Sequence, residues 1–276
     1  MNVSVIIPTY NRAHTLARAL RSVLSQTVDA AEIIVVDDHS TDETKRLVSE
    51  FEGVRYVINS HHRGPGGARN EGIDAASEKY VAFLDSDDEW FPKHLEESQY
   101  CLKTYDLDAS YALWYRQRGD SWEGYSDDWL DLLVRDLNLK ATDDAILLGD
   151  KIAEYTISKP FWCFHTDTLV VKRHLIHELG MFDEELLSSE DLEFSYRLLL
   201  ESSACLIDKY HALYYEGDDN IVALHTEDPV KTKAHAKNTV KALKKIGHLM
   251  ESAYTVDAEK CRAQLNRKIE EYEVLC

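Results

Sequence analysis

"VSVIIPTYNRAHTLARALRSVLSQTVDAAEIIVVDDHSTDET", residues 3–44, changes its hydrophobic period twice. The opening "VSVIIP" (3–8) is a short, nearly unbroken apolar run, which suits a strand buried on both faces. Between Ala13 and Gln26 the apolar positions move to Leu16, Ala19, Leu20, Val23 and Leu24, a helical spacing. "EIIVVDD" (32–38) returns to a continuous apolar run and predicts a second strand. "STDETKRLVSEF" (40–51) predicts a second helix, with Ser40 as N-cap and Glu43 three residues on completing a capping box.

The alternation continues outward. "VRYVIN" (54–59) reads as a third strand, and "PGGARNEGIDAAS" (65–77) leads through a helix into "KYVAFLDSDD" (79–88), a fourth. Strands of this kind, separated by helices, predict an α/β fold whose parallel sheet is covered on both faces. In such sheets ligands bind beyond the carboxyl ends of the strands. Those ends hold Pro8-Thr9-Tyr10, Asp37-Asp38, Asn59 to His62 and Asp85-Ser86-Asp87. Carboxylates gathered where a core ends repel one another and resist desolvation, so a positive partner or water belongs among them.

The 276 residues allow one large domain, or a domain with a smaller appendage. A hydrophobic fraction of 44% supplies a real core and excludes a disordered chain. The net charge of −19 argues against affinity for DNA or RNA backbone. A single anionic ligand still fits, because a local divalent cation can override the global field. The five cysteines, Cys101, Cys163, Cys205, Cys261 and Cys276, are odd in number and form no C-x-x-C pair, which points to a reduced compartment. "MNVSVIIPTYNR" lacks the basic and apolar regions of a secretory signal, and no window reaches the length of a membrane span. The expectation is a soluble cytoplasmic protein.

Beyond residue 105 the pattern is less regular. Residues 105–160 read as edge strands and variable loops, while 164–202 read as strand, short helix, turn and a helix from about Ser189. "CLIDKYHALYYEG" (205–217) reads as strand, and Pro229 opens a helix with Ala236, Val240, Leu243, Ile246 and Met250 on one stripe. A last helix is expected over roughly 257–275.

Several constellations carry two readings each. Asp85 and Asp87, alternate residues at a strand end, offer oxygen ligands suited to Mg²⁺ or Mn²⁺; the plainer reading is an acidic loop, with Asp88 or Glu89 capping the next helix. Asp37-Asp38 could accept hydrogen bonds from a nucleobase or ribose, or cap a helix. "GPGGARNEG" (64–72) is not a dinucleotide fingerprint, because Arg69 stands where the third glycine is required. It can still carry Arg69 to a helix start that suits a phosphate or base. Glu190 and Asp191 sit where a helix macrodipole favours acids, and one of them could be a general base. "HLIHELG" (174–180) lacks the second histidine of a zinc site, since Met181 is there. The lysines of 231–245 read as a solvated helix face. A nucleotidyltransferase would want a Gly-rich loop after the first strand, where this chain has "PTYNR".

Five segments in order, "VSVIIPTYNRAHTLARALRSVLSQT", "EIIVVDDHSTDET", "GGARNEGIDAASEKYVAFLDSDDEW", "GMFDE" and "SEDLEFSYRL", resemble the inverting glycosyltransferases of family 2, which have the GT-A fold. They cover most of residues 1–100 and 164–200. The resemblance implies a mixed, mostly parallel central sheet flanked by helices. It implies a donor-binding half over 1–104, an acceptor-binding and catalytic half over 105–226 and a C-terminal helical extension over 227–276. Pro8, Thr9 and Tyr10 would line the base pocket, Asp38 would bind the base with help from Arg69 and Arg12, and Asp85 and Ser86 would contact ribose and phosphate. Asp87, the second acid of a D-x-D motif, would hold Mn²⁺ or Mg²⁺, His225 would add a metal or phosphate contact, and Asp191 would be the catalytic base. The implied donor is a nucleotide diphosphate sugar; a Tyr and an Asp fit uracil, hence UDP, with thymine and guanine as the open alternatives. The implied acceptor is a glycan, a lipid-linked sugar or a protein, most often in cell-surface polysaccharide assembly. The C-terminal helices could pair two subunits or lie against the inner face of the cell membrane. The rival reading is a non-catalytic nucleotide- or carbohydrate-binding protein on the same scaffold.

Overall fold

β1 (Val3–Thr9) is buried at every residue, and its neighbours explain why. It lies in the sheet between β2 (Glu32–Asp37) and β4 (Tyr80–Phe83), parallel to both, and β2 in turn pairs in parallel with β3 (Val54–Ile58). The helices α1 (Leu16–Leu24), α2 (Thr44–Val48) and α3 (Pro65–Ala75) make the crossovers. In this computed structural model residues 2–124, 127–149, 151–157, 164–217, 229–252 and 258–276 are described.

The chain continues through β5 (Glu89–Trp90), α4 (His94–Thr104), β6 (Ala109–Arg118), β7 (Ser121–Glu123), α5 (Asp127–Leu137), β8 (Lys140–Ala141), β9 (Ile146–Leu148) and α6 (Ile152–Ile157). A 3₁₀ turn (Thr166–Thr168), β10 (Val170–Lys172), α7 (Arg173–Glu178), α8 (Glu190–Glu201), β11 (Ala204–Tyr214), α9 (Pro229–Ser252) and α10 (Ala258–Glu273) complete the described elements. Among them one sheet runs β3-β2-β1-β4-β10-β6-β11-β9-β8, with β5 added to β11 and β7 to β6. β10 reverses direction between β4 and β6, and β6 and β11 are again parallel, so the sheet is mixed.

Alternate strand residues feed two cores, as the period of two requires. Ile6, Ile34, Val36, Val81 and Phe83 face α3, α8 and the C-terminal helices. Val5, Ile7, Val35, Ala82 and Leu84 face α1 and α4. The predicted stripe of α9 is buried at Ala236, Val240, Leu243, Ile246 and Met250. Burying one large aliphatic side chain is worth roughly 1.5–3 kcal/mol, so this face holds the hairpin of α9 and α10 on the domain.

Three expectations are corrected. The Ser40–Glu43 capping box does not form: α2 begins at Thr44, and the Ser40 hydroxyl instead accepts the Asn11 N–H at 2.8 Å. Asp42 takes over at the helix start, accepting the Thr44 N–H at 3.0 Å. Asp88 and Glu89 do not cap the following helix, which starts only at His94. Residues 105–160 are not all edge: β6 lies inside the sheet between β10 and β11, and the same stretch contains α5 and α6.

Candidate active site

The loops after β1 and β2 are laced together. Asn11 adopts a left-handed conformation (φ 52°), and its side-chain oxygen accepts the Thr41 N–H at 2.8 Å. His39 is left-handed as well (φ 67°), which turns the chain sharply after Asp38. Asp38 is buried, and its two oxygens accept from Asn59 Nδ2 at 2.7 Å and the Gly64 N–H at 2.9 Å. Asp37 lies beneath it, accepting from the Tyr56 hydroxyl and from the Ser40 N–H at 2.7 Å. Pro8 and Thr9 are buried at the strand end, whereas Tyr10 is exposed with the Arg63 guanidinium 5.9 Å from its ring centre.

α3 delivers Arg69 to the other side of the strand ends. Gly67 makes this possible: a Cβ there would stand 1.9 Å from the His62 carbonyl oxygen. Arg69 is buried and donates from one amino group to Glu190 at 2.5 Å and from the other to Asp85 at 2.7 Å. A planar guanidinium can bridge two carboxylates in this way; an ammonium cannot do so in the same geometry. The charge of Asp191 also acts on Arg69. The side chain therefore ties the loop after β4 to the first turn of α8, and its donors are directed there rather than toward Asp38.

At the start of α8, Ser189 is left-handed (φ 64°), and its hydroxyl pairs with that of Thr239 on α9 at 2.9 Å. His235 of α9 hydrogen-bonds the Ser188 hydroxyl at 3.1 Å. Burial lowers the His235 pKa, while the nearby Asp191 carboxylate opposes that shift. Glu190 is pushed up to about 7 by burial and by the adjacent Asp191 charge, against the pull of Arg69. Asp191 is partly exposed, and its Oδ1 accepts the Leu192 N–H at 2.8 Å.

The D-x-D loop divides into an outer and an inner set. Asp85 and Asp87 are partly exposed, with Asp87 3.3 Å from an Arg12 amino group. Burial, reinforced by the Asp85 charge, pushes Asp87 up to about 6. Ser86 is buried. Asp88 turns inward, where its Oδ1 accepts the Tyr215 N–H at 2.8 Å. Beside it is Asp167, whose Oδ1 accepts the Asp85 N–H at 2.8 Å. Burial and mutual repulsion raise the pKa of Asp88 well above the usual carboxylate range, and burial with the Asp85 charge raises that of Asp167. Oxygens of Asp85, Asp88 and Asp167 all lie within 4.8 Å of one another. Carboxylate oxygens are the donors a hard divalent cation prefers, and of these four acids Asp85 and Asp87 are the ones open to its remaining ligands, so the outer pair is chemically suited to Mn²⁺ or Mg²⁺.

The structure thus brings Arg12, Arg69, Asp85, Asp87, Glu190 and Asp191 into one connected group, with Asp38 and Tyr10 on the adjoining loops. His225 lies outside the described residues. Sequence reasoning missed Asp167 and His235, and neither carries a local signal: both are recruited from distant segments by tertiary packing. Glu216, two residues beyond β11, pairs with Arg116.

A mixed, mostly parallel sheet with acidic loops at its carboxyl edge is the GT-A glycosyltransferase architecture. Staphylococcus aureus TarS 1–349 in complex with UDP-GlcNAc shares the fold, with a TM-score of 0.66 at 18% identity over 100% of this chain and 90% of that one. The family model of glycosyl transferase family 2 matches residues 4–157, and the chain belongs to that family. That match runs through much of 105–160, beyond the five segments that carry the resemblance. The succinoglycan biosynthesis protein ExoW of Rhizobium meliloti is 29% identical over 235 residues, covering 82% of this chain and 73% of ExoW. The Escherichia coli UDP-Glc:alpha-D-GlcNAc-diphosphoundecaprenol beta-1,3-glucosyltransferase WfgD is 43% identical over 96 residues, which is 34% of this chain and 38% of WfgD.

Proposed function

We propose that the protein transfers a sugar from a UDP-linked donor to an acceptor hydroxyl with inversion, in the assembly of a cell-surface polysaccharide or lipid-linked glycan. The observation that carries this reading is the Arg69 bridge, which joins the D-x-D loop to the helix start bearing Asp191. In this reading it ties the donor loop to the helix turn that carries the proton acceptor, which supports the positioning a one-step displacement needs. The names of ExoW and WfgD supply the polysaccharide and lipid-linked context.

In this reading residues 1–104 bind the donor, 105–226 receive the acceptor and 227–276 brace the site. Tyr10 stacks on the base above Pro8 and Thr9. Asp38 accepts from the base with the lone pairs left free by Asn59 and Gly64. Asp85 and Ser86 face ribose and phosphate, with Arg12 beside them. Asp87, with His225, would hold the divalent ion, which when bound stabilises charge on the departing diphosphate as a Lewis acid. Arg69 holds Asp85 in place. Asp191 accepts the proton of the acceptor hydroxyl as that oxygen attacks the anomeric carbon from the face opposite the diphosphate. A positioned base contributes roughly 10²–10⁴ in rate.

No helix among the described residues is long and apolar enough to cross a membrane. In this reading a lipid-linked acceptor is met at the membrane surface, with the C-terminal helices against it.

Transfer from UDP-sugars with Mn²⁺ present, followed by the anomeric configuration of the product, tests the reading. Asp191→Asn is expected to lower turnover by about 10²–10⁴ while UDP binding stays near normal. Turnover close to wild type would place the base elsewhere.

A further inference from the structure

We propose that Asp167 is a positioning residue for the D-x-D loop, fixing the backbone at Asp85 so that Asp85 and Asp87 face the donor diphosphate and its cation. This rests on the reading of that loop as a donor site.

Asp167 comes from the 3₁₀ turn ahead of β10, 82 residues from Asp85 in sequence. Its Oδ1 accepts the Asp85 N–H, its carbonyl accepts the Trp90 indole N–H at 2.6 Å, and its own N–H is 3.3 Å from His165 Nδ1. One residue therefore contacts both ends of the 85–90 segment. On the far side Asp88 is fixed by the Tyr215 N–H. The inner pair is fully enclosed, with Asp167 0% and Asp88 1% exposed. The two side chains hydrogen-bond each other, and Asp167 Oδ2 lies 3.5 Å from His165 Nδ1.

Enclosure decides between wall and ligand. Mg²⁺ and Mn²⁺ held by one or two carboxylates complete their shells with water and substrate oxygens. A position at 0–1% exposure cannot admit those ligands. The outer carboxylates can, with side chains 30% exposed at Asp85 and 20% at Asp87. The cation belongs at the outer pair, and Asp167 holds that pair from behind, as partners outside the coordination sphere do elsewhere.

The test compares Asp167→Asn with Asp167→Ala. Asparagine retains an oxygen for the Asp85 N–H and offers an amide N–H toward Asp88, whereas alanine retains neither. Mn²⁺ affinity in the presence of UDP, read by calorimetry, is expected to fall about 10–100-fold in the alanine variant and to survive in the asparagine variant. Amide hydrogen exchange at residues 84–88 of the ligand-free protein is expected to rise in the first and stay at the wild-type level in the second. Asp167→Ser, too short to reach the amide, replaces alanine if that variant does not fold. Wild-type Mn²⁺ affinity and exchange in the alanine or serine variant would overturn the proposal. So would loss of Mn²⁺ binding in the asparagine variant as complete as in Asp87→Asn, which would make Asp167 a ligand. If the wild-type protein binds neither UDP nor Mn²⁺, the transferase reading fails, while exchange at Asp85 still decides the role of Asp167.

Discussion

Arg69 shows how one side chain can hold a site together and make it fragile. Its guanidinium neutralises Glu190 and Asp85 at once, in a position almost closed to water. Removing one partner of a buried ion pair leaves the others uncompensated, at a cost of roughly 3–5 kcal/mol. Arg69→Met is expected to lose about that much stability in urea unfolding at neutral pH, and Arg69→Lys to recover only part of it, because an ammonium is a poor match for two carboxylates at once. A loss below about 1 kcal/mol for Arg69→Met would mean the pair is better solvated than its burial implies. Gly67 makes a second prediction at this scale. Alanine there must displace the His62 carbonyl, so Gly67→Ala should lower the melting temperature and weaken UDP binding through the loop that supports Asp38. Sequence reading singled out Asp38, Arg69, Asp85 and Asp191 because each stands near the end of a legible strand or the start of a legible helix. It could not show that Arg69 turns toward Glu190 rather than Asp38, because that choice is made by α8, a tertiary neighbour 121 residues away.

At the scale of elements, α4 packs on β11 through a buried histidine pair that no site reading uses. His94 Nδ1 lies 3.1 Å from His211 Nδ1, and His211 Nε2 lies 2.8 Å from Glu97, which also holds Lys209. Burial lowers both imidazole pKa values, that of His94 well below 6.5, and Glu97 only partly offsets the shift at His211. The unfolded chain therefore binds more protons than the folded one below pH about 6.5. The stability from neutral burial is complete above that pH and is lost as pH falls toward the depressed folded values. Each such proton adds a slope of up to about 1.4 kcal/mol per pH unit. His94→Leu is expected to flatten the fall in melting temperature between about pH 7 and pH 5; an unchanged slope would show that His94 does not titrate on unfolding. The same elements show what the sequence could and could not reveal. β1, β2 and β4 were legible because strands buried on both faces are continuously apolar, and β3, an edge strand with Arg55 and Ile58 exposed, was legible from its β-branched and aromatic residues. β6 was not, because "ASYALWYRQR" begins in the core at Ala109 to Leu113 and ends in charged residues beyond it, where it pairs with β7. β8 and β9, at two and three residues, are too short to carry a period.

For the whole molecule the question is how a chain of net charge −19 would bind an anionic donor. The long-range field repels it, and most of the nearby arginines are already matched by acids: Arg12 faces Asp87, Arg18 faces Glu89 and Arg69 faces two, which leaves Arg63 beside Tyr10. In the proposed reading most of the charge for the diphosphate then arrives with the divalent ion. UDP alone should raise the melting temperature little, and UDP with Mn²⁺ substantially, since a ligand at about 100 times its Kd adds roughly 2.7 kcal/mol. EDTA should remove the difference. Salt gives a second, signed test. The Debye length falls from about 30 Å at 0.01 M to about 8 Å at 0.15 M, so screening weakens a repulsive field as readily as an attractive one. Metal-free UDP binding is expected to hold or strengthen as salt rises over that range, whereas Mn²⁺ binding weakens. Metal-free UDP affinity that drops steeply with salt would reveal a net positive donor site, and the acidic loops at the strand ends would then need a different ligand.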